Sequence, residues 1–559
     1  MTRSGPTRER RNRDQRRARR WMTSTLAAAA LALTGTFAAT PASAAPPAGQ
    51  RTAPASSTGS FRLVDIPMKD GVVLKADVLT PAPGTPGADA RGRYPVVVEP
   101  ASWGQNDLEF LLQSRKLAAD GYVVVTYTVR GFWLSGGQVD VAGPKDVSDI
   151  SSVIDWTLTH TPADPDRVGM TGLSLGAGMS LMGAAFDPRV KAVAAMSAWG
   201  DLVNALYSGQ TRHVGAVGIL TAVQIPTGRQ SPETHQAISD MFGDQHIPEL
   251  VKWARTRSPG SYVDRINAHH TAVFIANAWT DSIFNPSQIA DFYQRLTGPK
   301  RLELRPGDHA TQEVGGMLGL DNPAWDDGRA WFDQHLKNLG GHGGDHQVQL
   351  QVREDAGQEA YPDWRSISTR SERLRLGRAD LLGTGTLGGT ADTGWRTAIT
   401  GGVDSGADSG ITELSGGLDQ FLGIPPTVEV PLLPRGLAAV WQSAPYSGVQ
   451  RIRGVVGFHT TVTSSAPKGT VFAYLYDVNA LGAGRLITHA PQSWSAPAGQ
   501  AVPLDLSLFA TAYDLPAGHR LALVLDTEDP MYGSDTPLGS RLSFSSPAND
   551  PSQLTVPLR

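Results

Sequence analysis

The sequence predicts two architectures in one chain: an α/β domain on a mostly parallel sheet with a helical cap, then an all-β domain. Three observations predict it. Across residues 94–199 short apolar runs alternate with helical patterns, as parallel βα units require. From 201 to 267 no convincing strand occurs, and 232–242 and 248–257 read as helices lying over the sheet. Past the glycine run 340–344 the period becomes two, with Val502, Leu504, Leu506 and Leu508 or Phe472, Tyr474 and Tyr476 on one face between frequent turns. That is the pattern of a β-sandwich or jelly roll.

The elements follow in order. Residues 1–44 hold nine Arg and two acidic residues, then the apolar run 26–33, then Ala42-Ser43-Ala44, and so read as a cleaved signal peptide of an exported protein. Arg19-Arg20 also fits a twin-arginine signal. Residues 45–59 read as a flexible lead-in, and 61–78 as a hairpin about Lys69-Asp70-Gly71. The first domain spans 60–340 and closes on a helix, 325–339, that places Trp331, Phe332, His335, Leu336 and Leu339 on one face. The second domain spans 345–559.

Gly172-Leu173-Ser174-Leu175-Gly176 lies between an apolar run and a small-residue helix start, the context of a nucleophile elbow in an α/β-hydrolase fold. Such a fold places its acid and base later in the chain, each beyond a strand. The run 271–276 leads to Asp281, and 302–304 leads to His309. His309 is the candidate base for Ser174, and Asp281 the acid that fixes its tautomer. Asp308 is a rival acid, but neighbours on a turn rarely face each other. The intact order Ser174, Asp281, His309 favours an enzyme over a binding protein that keeps the fold. Candidate oxyanion donors are the Leu175 N–H and a group from the loop after 95–99, Ser102 or Trp103. His269-His270 and His342 with His346 lack a carboxylate or Cys partner set, so no metal or cofactor is expected.

The chain holds 49 basic and 53 acidic residues, nine and two of them in the leader, so the mature chain carries a formal charge of −11. That argues against nucleic acid or an anionic membrane as partner. No later run is long enough to span a bilayer. With no Cys, stability comes from core burial alone.

Further motifs carry a family resemblance: Lys69-Asp70-Gly71 before a Pro-rich loop, Tyr94-Pro95-Val96-Val97-Val98, Val129-Arg130-Gly131 with Ser135-Gly136-Gly137, Ala278-Trp279-Thr280-Asp281 and Gly307-Asp308-His309. The chain resembles the X-Pro dipeptidyl-peptidase (S15) and cocaine-esterase-like (CocE/NonD) serine hydrolases over nearly all of its mature length. The resemblance implies a jelly-roll C-terminal domain shaping the pocket, an acyl-enzyme mechanism on Ser174, Asp281 and His309, and a small ester or X-Pro peptide substrate. Leu175 stands where many members have Tyr, and Pro100-Ala101-Ser102-Trp103 replaces an Asn-Pro-Tyr that supplies a phenolic donor, which leaves the second donor and the substrate open. A dipeptidyl-peptidase needs a carboxylate for the substrate ammonium; the cap offers Glu233, Asp240, Asp244 and Glu249. Trp103, Trp133, Trp199 and Trp279 are candidate pocket walls.

Overall fold

Parallel strands covered on both faces read as near-continuous apolar runs. The central strands fit: β3 (Tyr94–Pro100), β4 (Val123–Tyr127) and β7 (Ala272–Ala278) are buried throughout, with Glu99, Thr126 and Asn277 the polar exceptions among them. The computed structural model describes residues 59–340, 347–353, 357–390 and 392–559. The expected leader, all but the last residue of the lead-in, and both His342 and His346 lie outside the described residues.

The expected hairpin is β1 (Ser60–Pro67) with β2 (Val73–Thr80), antiparallel. With β5 (Ala163–Leu173), β6 (Val190–Met196), β8 (Lys300–Arg305), β9 (Val348–Gln351) and β10 (Gln358–Tyr361), it builds a ten-stranded sheet ordered β1-β2-β4-β3-β5-β6-β7-β8-β9-β10. From β4 to β9 neighbouring strands run parallel. Alternation divides the core: Val96, Val98, Val123 and Val125 face one cluster with the helix Leu175–Phe186, while Val97, Val124 and Phe274 face another with the helices Leu111–Ala119 and Pro323–Lys337. The order reverses at β3, which lies between β4 and β5, and the crevice beyond such a reversal is where open α/β sheets bind ligands.

The sheet does not end at the glycine run. Val348 and Leu350 are buried, and β9 continues the ladder of β8, so 348–361 belongs to the first sheet although the sequence suggests a second domain from 345. The short, half-alternating strand beyond the glycine run looks the same in sequence as any strand of the β domain.

Between β6 and β7 the chain forms five α-helices, Leu202–Leu206, Val214–Thr227, Pro232–Gly243, Ile247–Arg255 and Val263–His269. Their starts follow capping chemistry: Asp201 and Ser231 accept main-chain N–H bonds at the first turns, and Pro232 and Pro248 stand where no N–H is needed. Val217, Ala237, Met241 and Leu250 pack together as the inner face of this cap.

The remaining fourteen strands of the described residues form an all-β domain, antiparallel except where Thr384–Gly388 runs parallel to Ala439–Ser443. Trp395, Trp441 and Phe544 lie in its core, with the two indoles 5.7 Å apart. An α-helix, Ser415–Leu422, interrupts it.

Candidate active site

Ser174 sits between β5 and the helix Leu175–Phe186 with φ 55° and ψ −114°, a conformation that L residues rarely adopt. The glycines permit the turn. A Cβ on Gly172 would lie 2.5 Å from the Gly176 carbonyl carbon, and a Cβ on Gly176 would run into the Pro100 carbonyl oxygen. The Ser174 N–H donates to the Met196 carbonyl, which ties the elbow to β6.

The structure brings together the three residues that the sequence places 135 positions apart at the extremes. Ser174 Oγ lies 2.8 Å from His309 Nε2, and His309 Nδ1 lies 3.0 Å from Asp281 Oδ2. Asp281 Oδ1 accepts the N–H groups of Ile283 and Phe284, which settles Nδ1 as the protonated nitrogen, donating to Oδ2. Phe284 meets the imidazole edge-on at 5.0 Å. Ser174, Asp281 and His309 are all buried. Burial opposes the imidazolium, but the Asp281 carboxylate outweighs it and raises His309 to about 9. Two further carboxyls stand nearby: burial pushes Glu313 up to about 8, and burial with the Asp308 charge pushes Glu413 well above the usual carboxylate range.

Asp308 does not face the imidazole. Its Oδ1 accepts the N–H groups of Ser282 and His309, so it belongs to the loop frame. Ser102 has no donor left for an oxyanion: its hydroxyl donates to the Leu173 carbonyl at 2.8 Å and its N–H to Glu109 at 2.7 Å. This corrects the expectation for Ser102. The Trp103 indole is committed to the Leu220 carbonyl, which leaves its main-chain N–H, and no acceptor among the described residues takes the N–H of Trp103 or of Leu175. Leu175 opens its helix, where the first N–H groups have no intrahelical partner.

A cavity of about 90 Å³ opens on Ser174 under the cap. Trp103, Trp199, Trp253, Met241, Leu250 and Phe284 are among the residues of its wall, and Thr221 and Thr234 are the polar cap residues on it. Of the expected tryptophans, Trp133 is exposed and Trp279 donates to the Gln351 carbonyl away from this cavity. No cap carboxylate lines it. Asp240 pairs with His246, and Asp244 with Arg212 and Lys468. Trp253 and Phe284 were not foreseen; Trp253 lay inside an expected helix, but nothing in its spacing showed which way that helix would turn. His269 Nδ1 bonds the Ala184 carbonyl, and among the described residues no group of three or more ligating side chains is assembled.

Residues 70–311 match the X-Pro dipeptidyl-peptidase (S15 family) and residues 342–552 match the X-Pro dipeptidyl-peptidase C-terminal non-catalytic domain. A putative Xaa-Pro dipeptidyl-peptidase of Streptomyces avermitilis is 24% identical over 475 residues, covering 73% of this chain and 67% of that protein. The first curated relatives, uncharacterized Escherichia coli proteins, match over 82 to 87 residues, and the chain spans less than a third of their length. Among solved structures, a CocE/NonD family hydrolase from Staphylococcus aureus is 13% identical with a TM-score of 0.69, covering 90% of this chain and 94% of that one. An α-amino acid ester hydrolase is 17% identical with a TM-score of 0.63, covering 94% and 100%. These likenesses establish the two-domain fold.

Proposed function

We propose that this chain, a hydrolase belonging to the X-Pro dipeptidyl-peptidase (S15) and CocE/NonD family, cleaves esters of bulky apolar acids through an acyl-enzyme on Ser174. The observation that carries the reading is the wall of the Ser174 cavity, which is apolar and without a carboxylate. An acyl chain buried there gains about 25 cal/mol for each Å² withdrawn from water. The ammonium of a free dipeptide would meet indole and aliphatic surface and lose its hydration without a partner, which costs several kcal/mol.

The chemistry follows from the hydrogen-bond chain. His309 Nε2 takes the Ser174 proton as Oγ attacks the carbonyl carbon, and Asp281 holds the imidazole by Nδ1 and stabilises the imidazolium. The N–H groups of Leu175 and Trp103 receive the oxyanion. His309 then gives its proton to the leaving alkoxide, the acyl group stays on Oγ, and a water activated by the same nitrogen releases the acid.

On a plate of p-nitrophenyl esters and Ala-Pro-p-nitroanilide, turnover is expected to rise from acetyl to longer or aromatic acyl groups and to be weak on the free-amine anilide. Preference for the anilide would overturn the ester reading and leave the hydrolase intact.

The pH profile provides a second check. The base acts only when neutral, and its proton affinity lies above the ordinary imidazole value of 6.5. The acid limb of kcat/KM is therefore expected well above pH 6.5, with activity still climbing at pH 8. A sequence-only expectation from unperturbed imidazole places the loss near pH 6. A midpoint at or below 6.5 would show that Asp281 does not lift His309.

A further inference from the structure

We infer that Asp308 is a positioning residue that clamps the loops carrying Asp281 and His309 to each other and to the C-terminal domain, so that the β domain is part of the catalytic centre. The inference rests on the hydrolase reading above.

Three segments converge on one carboxylate that is fully buried. Oδ1 accepts the Ser282 N–H at 2.7 Å, next to the acid, and the His309 N–H at 2.8 Å, on the base itself. Oδ2 accepts the Gly416 N–H at 3.2 Å, from the helix Ser415–Leu422 of the β domain. Among the described residues no Lys or Arg pairs with Asp308, so main-chain dipoles hold its charge. Parallel ties reinforce the same junction: the Glu413 N–H donates to Ser282 Oγ at 2.8 Å, and Thr311, which receives the Asp308 N–H, bonds Gln420. A carboxylate is acceptor-only and serves three N–H donors at once, whereas an amide turns an NH2 toward one of them. Two loops that each carry one member of a hydrogen-bonded pair need a common reference, because a displacement of about 1 Å costs about 10²-fold in rate.

Two variants approach the clamp from opposite sides. Asp308→Asn keeps the shape and removes one acceptor. Gly416→Ala leaves the first domain untouched but places a Cβ 2.6 Å from Asp308 Oδ2, which forces the β domain away. Each is expected to lower kcat on the preferred ester about 10²-fold with KM within about threefold. Their combination should lose little more than either, since both break one junction. Hydrogen exchange should quicken in both 280–284 and 307–311. The pH profile provides a readout that simple loosening would not move. Burial raises Asp308 to about 6, with the Asp281 and Glu413 carboxyls acting on it and the paired Arg353 and Asp419 on the same inter-domain cavity. Wild-type log kcat/KM should gain a second unit of slope below about pH 6, and Asp308→Asn should lack it. Wild-type kcat in both variants, or a second unit of slope that persists in Asp308→Asn, would overturn the assignment. Fluorophosphonate labelling separates the two readings: wild type that fails to label at Ser174 sinks the hydrolase reading, and wild type that labels while Gly416→Ala labels equally fast sinks the clamp.

Discussion

Ser174→Ala is expected to lower kcat by about 10⁶-fold, the cost of removing the nucleophile from a set of residues that work as a unit. No other side chain takes over the attack. The helix Leu175–Phe186 begins at Leu175, and its small residues Gly176, Ala177 and Gly178 offer no nucleophile in place of Oγ. The variant should fold normally, because the lost hydroxyl makes one contact, to His309, and both backbone ties of Ser174 remain. A fluorophosphonate probe checks the assignment directly. It should label wild type and leave Ser174→Ala unlabelled at an unchanged unfolding midpoint; a labelled variant would place the nucleophile elsewhere.

Asp281→Asn should cost about 10⁴-fold in kcat while leaving KM nearly unchanged. The carboxylate accepts from His309 Nδ1 on one oxygen and from Ile283 and Phe284 on the other. In the variant the two main-chain donors hold the amide oxygen in the position of Oδ1, so the amide NH2 turns toward Nδ1. The imidazole then carries its proton on Nε2, facing Ser174, and has no lone pair for the hydroxyl proton. Loss of less than about tenfold would show that another carboxyl, Glu313 or Glu413, stands in for it.

Much of this geometry is readable from residue order alone. Asp281 and His309 are found by counting strands after Ser174, since a strand end places a loop on a known edge of the sheet whatever the loop contains. The oxyanion donors are not readable, because a main-chain N–H carries no residue signature; sequence drew attention to the Ser102 hydroxyl, which the fold spends on the Leu173 carbonyl. The pocket wall depends on how helices turn about their axes, which decided that Trp253 points inward and Glu233 outward. The continuation of the first sheet past 345 was hidden for a different reason. β9 is four residues long, and four alternating residues fit an edge of either sheet. Glu413 and Gly416 were invisible as active-site neighbours because they belong to another architecture, and only the docked structure joins them to Asp308.

The bond from Gly416 to Asp308 also gives the order of synthesis a meaning. Ser174, Asp281 and His309 have all been incorporated once His309 is made, but 110 residues separate His309 from Gln420. At about 5–20 residues per second that interval lasts roughly 5–20 s. During it the nascent chain holds a serine, a histidine and an aspartate whose loops lack their third anchor. On the clamp reading, hydrolysis at the full rate awaits the helix Ser415–Leu422, and the chain before it is expected to work about 10²-fold more slowly.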